Sequence, residues 1–188
     1  GDAVVNSLGA KLVQLTMPGV PDLYQGCELT GLSLVDPDNR RPVDFQRRRR
    51  LLAALRAGHE VVGLDAEKML LTNRALELRR DHPEWFAGAY TPLACEGPAA
   101  EHAVAFVRGE HAVTVVTRLP AGLRRRGGWA DTVLPLPGLH WRDVLTGIRH
   151  AGLRPPLAEL TRRLPVALLI PEEIYLAEQE RLAGESAR

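Results

Sequence analysis

The residues best equipped for chemistry lie close together near the amino-terminal end. Over positions 34–42, Asp36, Asp38 and Asn39 offer oxygen acceptors, Asn39 adds an amide donor, and Arg40 and Arg41 carry planar guanidinium forks. Forks beside carboxylates suit two adjacent hydroxyls, or a carboxylate brought in from elsewhere. The same run also satisfies a plainer description: Asp-Pro-Asp-Asn makes an Asx-type turn, and its arginines tie the loop down. Ten residues earlier come Tyr24, Gln25 and Glu28. Tyr24 has a ring that could stack on a flat ligand face or sit in the core with its hydroxyl satisfied. Gln25 and Glu28 could hold hydroxyls or neighbouring loops. Neither Glu28 nor Asp22 reads as a catalytic acid, because the spacing places no partner carboxylate beside it. No residue of the chain is therefore assigned a catalytic role.

Composition narrows the classes of function. The chain has 188 residues, 45% hydrophobic and 25% charged, which is ordinary for a folded domain. Lys+Arg is 24 against Asp+Glu 23, so no overall field draws the chain to nucleic acid or an anionic membrane. The run Arg47 to Arg50 fans around a helix axis and reads as a solvated face, and Arg124 to Arg126 as a loop. No apolar run approaches the ~20 residues that span a bilayer. Cys27 and Cys95 are too few for a disulfide framework and suit thiols kept reduced in the cytoplasm. The six histidines show no metal-ligand spacing, and no cofactor is implied. Trp85, Trp129 and Trp141 read as core anchors, with a sugar platform as the alternative.

The elements that must position these groups follow from periodicity. Apolar spacing predicts a helix over 4–17, with Asp2 as its cap, stopped by Pro18, Gly19 and Pro21. Positions 22–26 read as a buried strand or strand end. A helix capped by Asp44 is expected over 45–56, ending at Gly58, and another over 65–80, ending before His82 and Pro83. Beyond Gly88 the texture becomes β-rich. Runs 102–108 and 111–117 flank Gly109 and Glu110, a loop that suits a type II′ hairpin. Further strands are expected over 131–136, 141–145 and 166–170, an antiparallel β-sandwich, followed by a polar tail over 172–188. A helical first half with one strand leaves that strand without ladder partners. Such an order fits the last helix–strand–helix units of a (β/α)8 barrel followed by a small β domain, α/β plus all-β. The expected division is 1–58 for the barrel end, 59–93 for a helical connector, 94–171 for the β domain and 172–188 for the tail.

Two stretches carry a family likeness. Pro18-Gly19-Val20-Pro21 with Tyr24, Gly26 and Glu28 resembles the segment around the last barrel strand of the α-amylase clan. Joined to Asp36-Pro37-Asp38-Asn39-Arg40-Arg41-Pro42, and to Arg80 through Leu93 and Trp141 through Gly147, it resembles the maltooligosyltrehalose synthase family over residues 1 to about 171. That resemblance implies an intramolecular transglucosidase acting on maltooligosaccharides, of which this chain would be a C-terminal fragment, inactive alone. Its partner would be the missing N-terminal barrel portion, which carries the catalytic carboxylates. The resemblance places Tyr24, Gln25, Glu28, Asp36, Asp38, Asn39, Arg40 and Arg41 near substrate. Arg40 or Arg41 would pair an upstream Asp, with no choice made between them. It requires no metal or organic cofactor. Other hydrolases or transglycosidases of the clan, and a non-catalytic carbohydrate-binding or scaffold protein, remain alternatives.

Overall fold

Alternation along two central strands organises the molecule, a computed structural model that describes residues 1–33, 40–59 and 62–186. Strands β1 (Tyr90–Leu93), β2 (Ala103–Arg108), β3 (Ala112–Thr117), β4 (His140–Asp143), β5 (Arg149–Ala151) and β6 (Val166–Pro171) form one antiparallel sheet in the order β1-β2-β3-β6-β4-β5. On β3, Ala112 and Val116 face one apolar cluster while Val113 and Val115 face another. On β6, Val166, Leu168 and Ile170 face the first, Ala167 and Leu169 the second. Both faces are dry, so β3 and β6 read as continuous apolar runs.

The first face is closed by helices. α1 (Asp2–Thr16) contributes Leu8, Leu12 and Leu15; α3 (Leu64–Asp81) contributes Leu71, Ala75 and Leu78; α4 (Pro83–Ala87) contributes Trp85 and Phe86. The second face is closed by Leu123 of α5 (Pro120–Arg125), by Leu157 and Leu160 of α6 (Leu157–Leu160), and by Trp129, Leu134, Leu136 and Trp141. The expected β-sandwich is thus corrected to a single sheet. Helices and loops already bury both of its faces, and no apolar face is left for a second sheet.

Other expectations fare unevenly. Asp44 caps α2 (Phe45–Arg56), its carboxylate accepting from the Arg47 amide at 2.8 Å. Asp2 lies inside α1 rather than capping it, and pairs with Arg124. α3 ends at Asp81, before His82 and Pro83 as expected, and Pro83 then opens α4, where its missing N–H is harmless. The run 131–136 makes only bridges, Val133 to Glu96 and to Pro156. The polar tail includes α7 (Glu172–Ser186). Its first turn is held by Glu172, which takes Arg142 at 2.6 Å and Arg149 at 2.7 Å. Trp85, Trp129 and Trp141 are all core residues.

The hairpin between β2 and β3 is present, but its turn is type I′. Gly109 and Glu110 both have positive φ, 52° and 67°. Gly109 cannot be replaced cheaply, because a Cβ there would lie 2.6 Å from the Trp85 Cα. Gly109→Ala is expected to cost about 3 kcal/mol by forcing α4 off the hairpin. A urea titration checks this, and an unchanged midpoint would remove the argument.

Candidate functional site

After α1 the chain turns back along the helices, and side chains from α1, α2 and α3 hold its backbone. Arg79 of α3 donates to the carbonyls of Leu15 at 3.0 Å and Gly19 at 2.8 Å. Gln14 of α1 donates to the Asp22 carbonyl at 2.8 Å. A turn follows, closed by the Cys27 amide on the Tyr24 carbonyl at 3.1 Å, with Gly26 at φ 88°. Positions 22–26 are therefore a turn and extended coil, not the strand expected. Among the described residues no strand lies alongside to supply a ladder, so the backbone bonds to side chains instead.

Arg48 is the main clamp. It donates Nε to Glu28 at 2.9 Å, one Nη to the Gly26 carbonyl at 2.6 Å and the other to the Asp44 carbonyl at 3.1 Å. Next, Lys68 donates to the Leu29 carbonyl at 2.8 Å, and the Thr30 amide donates to Asp65 at 2.7 Å. Arg47 reaches the other oxygen of Asp65 at 2.6 Å. Burial works to raise the Asp65 carboxyl, but the Thr30 hydrogen bonds and the Arg47 charge outweigh it and hold it below the usual range. Lys68 is pushed down, first by burial and then by the nearby Lys11 charge. Buried Lys11 spans Gln14 at 2.8 Å and the Cys27 sulfur at 3.7 Å.

The candidate residues separate accordingly. Tyr24 is 47% exposed and Gln25 is exposed, so neither belongs to the core. Glu28 is occupied by the Arg48 guanidinium, an arrangement that fixes the turn on α2. Arg40 and Arg41 are exposed just before the Asp44 cap. Asp36, Asp38 and Asn39 lie outside the described residues. Sequence reasoning missed Arg48, hidden within a run of four arginines, and also Lys11, Asp65 and Lys68. Only their helical spacing opposite the turn could have indicated them. Among the described residues no group of three His, Cys, Asp or Glu is placed to hold a metal, and no helix is long and apolar enough to cross a membrane.

The clamp makes a prediction. Arg48→Ala is expected to speed amide exchange at Cys27 and Thr30 by roughly fivefold, about 1 kcal/mol of local stability. Exchange at the Val113 and Leu168 amides should stay unchanged. Equal acceleration everywhere would mean that Arg48 supports the whole fold rather than this turn.

Around the turn the surface is apolar and open. Val20 is 95% exposed and Leu32 91%, with Met17 and Phe45 also exposed. Helices and loops on both faces of an antiparallel six-stranded sheet, with a polar turn strapped along α1, α2 and α3, define the class of this unit: mixed helix plus antiparallel sheet. No family model matches the chain. A Mycobacterium tuberculosis protein described as a maltooligosyl trehalose synthase is 50% identical over 166 residues, covering 88% of this chain and 20% of that protein. The solved maltooligosyltrehalose synthase of Arthrobacter ramosus superposes with a TM-score of 0.84 at 48% identity, over 89% of this chain and 22% of that one. A Sulfolobus tokodaii structure, described as a hypothetical maltooligosyl trehalose synthase, matches at 25% identity with a TM-score of 0.59, over 89% of this chain and 20% of that one. The chain's homologues are maltooligosyltrehalose synthases, and it matches their C-terminal part, spanning about a fifth of the curated relatives' length.

Proposed function

We propose that this chain serves as the C-terminal part of a maltooligosyltrehalose synthase, working with an upstream portion that supplies the rest of a (β/α)8 barrel. On this reading residues 1–58 end the barrel, 59–93 connect, and the sheet over 94–171 supports them. The 50% identity to the mycobacterial relative over 88% of the chain carries the reading. The exposed apolar residues Met17, Val20, Leu32 and Phe45, on and beside the strapped segment, support it as the surface the upstream portion would cover.

The intact enzyme would break the reducing-end α-1,4 linkage of a maltooligosaccharide and re-form it as an α,α-1,1 linkage. The chemistry would be a retaining double displacement, whose two carboxyl groups stand ~5–5.5 Å apart. Those groups would belong to the upstream portion, since Glu28 is committed to Arg48. This chain would contribute substrate contacts: Tyr24 as a stacking surface, with Gln25, Arg40, Arg41 and the loop of Asp36, Asp38 and Asn39 around the sugar hydroxyls. Arg48, Lys68 and Arg79 would hold the strap in register with that pocket. The proposed setting is cytoplasmic, with no nucleic-acid, membrane, metal or cofactor partner.

Co-expression with the upstream four-fifths of the Arthrobacter ramosus enzyme, followed by incubation with maltopentaose, tests the proposal. A non-reducing product ending in trehalose is expected from the pair and none from this chain alone. Free glucose as the sole product would instead indicate a hydrolase of the same clan, and turnover by this chain alone would refute the division of labour.

A further inference from the structure

Beneath the strap lies a side-chain cluster that takes no part in the proposed substrate contacts. The chain has two lysines, Lys11 and Lys68, and both stand beside the thiol of Cys27. Lys11 is 7% exposed, and a lysine so deeply buried is ordinarily paired with a carboxylate. Among the described residues it makes no such pair. Its Nζ donates to the Gln14 amide oxygen at 2.8 Å and to the Cys27 sulfur at 3.7 Å. Lys68 adds a second positive charge that interacts with both Lys11 and Cys27. The charge of Lys68 is answered by Asp65 and Glu28. Lys11 has only an amide oxygen and a sulfur.

The geometry around the sulfur is fixed from the strap side. The Cys27 amide closes the turn on the Tyr24 carbonyl, and Arg48 holds the neighbouring Gly26 carbonyl and Glu28. Cys27 is half-buried, so a small solute can reach its sulfur. Lys11 lies on a rigid helix, but its ammonium ends a flexible four-carbon stem that can close the remaining gap by torsion alone. The other thiol has a different setting. Cys95 packs beside the second apolar cluster, and burial pushes its thiol up. An amine and a thiol in contact, with the cation uncompensated, make a reactive pair once the sulfur becomes electrophilic.

We propose that Cys27 and Lys11 are a modification site, joined by a sulfur–nitrogen bond when hydrogen peroxide oxidises the thiol. Peroxide transfers one oxygen to the Cys27 sulfur, giving a sulfenic acid, and its other oxygen leaves as water. Sulfur is oxidised by two electrons and peroxide is reduced. The Lys11 nitrogen then attacks that sulfur; the S–N bond forms as the S–O bond breaks, and the oxygen departs as a second water. Of the three ammonium protons, one stays on nitrogen, one goes to that water and one to solvent. The product, a sulfenamide, removes a buried charge that no carboxylate offsets. It also staples the turn carrying Tyr24 and Gln25 to α1. Two equivalents of a small thiol reverse it, regenerating the cysteine and the amine and forming a disulfide between themselves. The link is independent of the synthase reading, because both partners belong to this chain.

Mass spectrometry of the folded chain after brief treatment with hydrogen peroxide at mildly alkaline pH tests this. The expected product is lighter than the parent by about 2 Da, the two hydrogens lost overall. It should still take up one iodoacetamide, at Cys95, and regain the lost mass with dithiothreitol. Fragmentation of the proteolysed product should join the peptide of Lys11 to that of Cys27. Lys11→Arg should abolish the loss, since a guanidinium stays protonated and does not attack, and leave Cys27 as its sulfinic acid. Lys68→Arg should leave the link intact. The fragment map of the parent decides the matter even where a variant fails to fold. A link from Cys27 to Lys68, a Cys27–Cys95 disulfide, a sulfinic acid at Cys27 of the parent with no link, or an unreacted Cys27 would each overturn the assignment.

Discussion

Arg108→Met is expected to lower the stability of the chain by about 3 kcal/mol or more, the largest effect of any single polar substitution. Arg108 is 2% exposed. Among the described residues its guanidinium meets no carboxylate; it donates to backbone carbonyls of Thr16 at 3.2 Å, Gly88 at 3.2 Å, Ala89 at 3.4 Å and Phe86. Thr16 is the last residue of α1, and Phe86 and Gly88 end α4. The cation thus sits where two helix dipoles present their negative ends, while its fork fills acceptors that those helices leave unpaired. Burial pushes the Arg108 guanidinium down, so part of the gain is offset by desolvation. Methionine matches much of the length and apolar volume, and its loss would therefore measure the unpaired carbonyls. Arg108→Lys, with a compact ammonium instead of a fork, should recover less than half. Chemical denaturation monitored by tryptophan fluorescence reads both. A methionine variant within 1 kcal/mol of the parent would show that the carbonyls find other partners.

The second large effect is a pH dependence set by Asp143. Its carboxyl is pushed up to about 6 by burial, against hydrogen bonds from the Thr146 hydroxyl and the Leu145 and Leu168 amides. Those bonds measure 2.6, 3.1 and 3.1 Å. Because the folded value lies above the unfolded 3.8, the folded state binds the proton more tightly. The stabilisation is complete below the unfolded value and is lost as pH rises through about 6. Between pH 3 and pH 7 this single group withdraws about 3 kcal/mol. Asp65, Asp81 and Glu172 are shifted down and act in the opposite sense, losing stability as pH falls. The test is therefore a difference between parent and Asp143→Asn at each pH. An asparagine oxygen can still accept from both amides while its NH2 donates to the Thr146 oxygen. The variant is expected to match or exceed the parent at pH 7 and fall behind it below pH 5. A difference that does not vary with pH would show that Asp143 does not titrate in this range.

What the sequence disclosed is what local chemistry encodes. Asp44, Gly58 and the His82-Pro83 pair mark helix ends because caps and breakers act on adjacent residues. The hairpin at Gly109 was legible for the same reason. The single sheet was not, because the number of layers depends on what covers each face. Leu8, Leu12 and Leu15 show a helical stripe without revealing that it lies on β3 and β6. Asp143 sits in an ordinary Trp-Arg-Asp-Val-Leu run with no sign of burial. At the strap, Tyr24 and Gln25 were recognisable as potential contacts. The structural use of Glu28 was not, since Arg48 lies twenty residues away within a run that looks like surface.

The closure of the first sheet face by α1 bears on how this polypeptide can be recombined with related ones. Leu8, Leu12 and Leu15 pack in one cluster with Val116, Leu168 and Ile170. A chimera whose crossover falls anywhere between Thr16 and Ala112 therefore draws that cluster from two parents and sets foreign side chains against each other. Keeping residues 2–170 from one parent transfers helix, strap and sheet together.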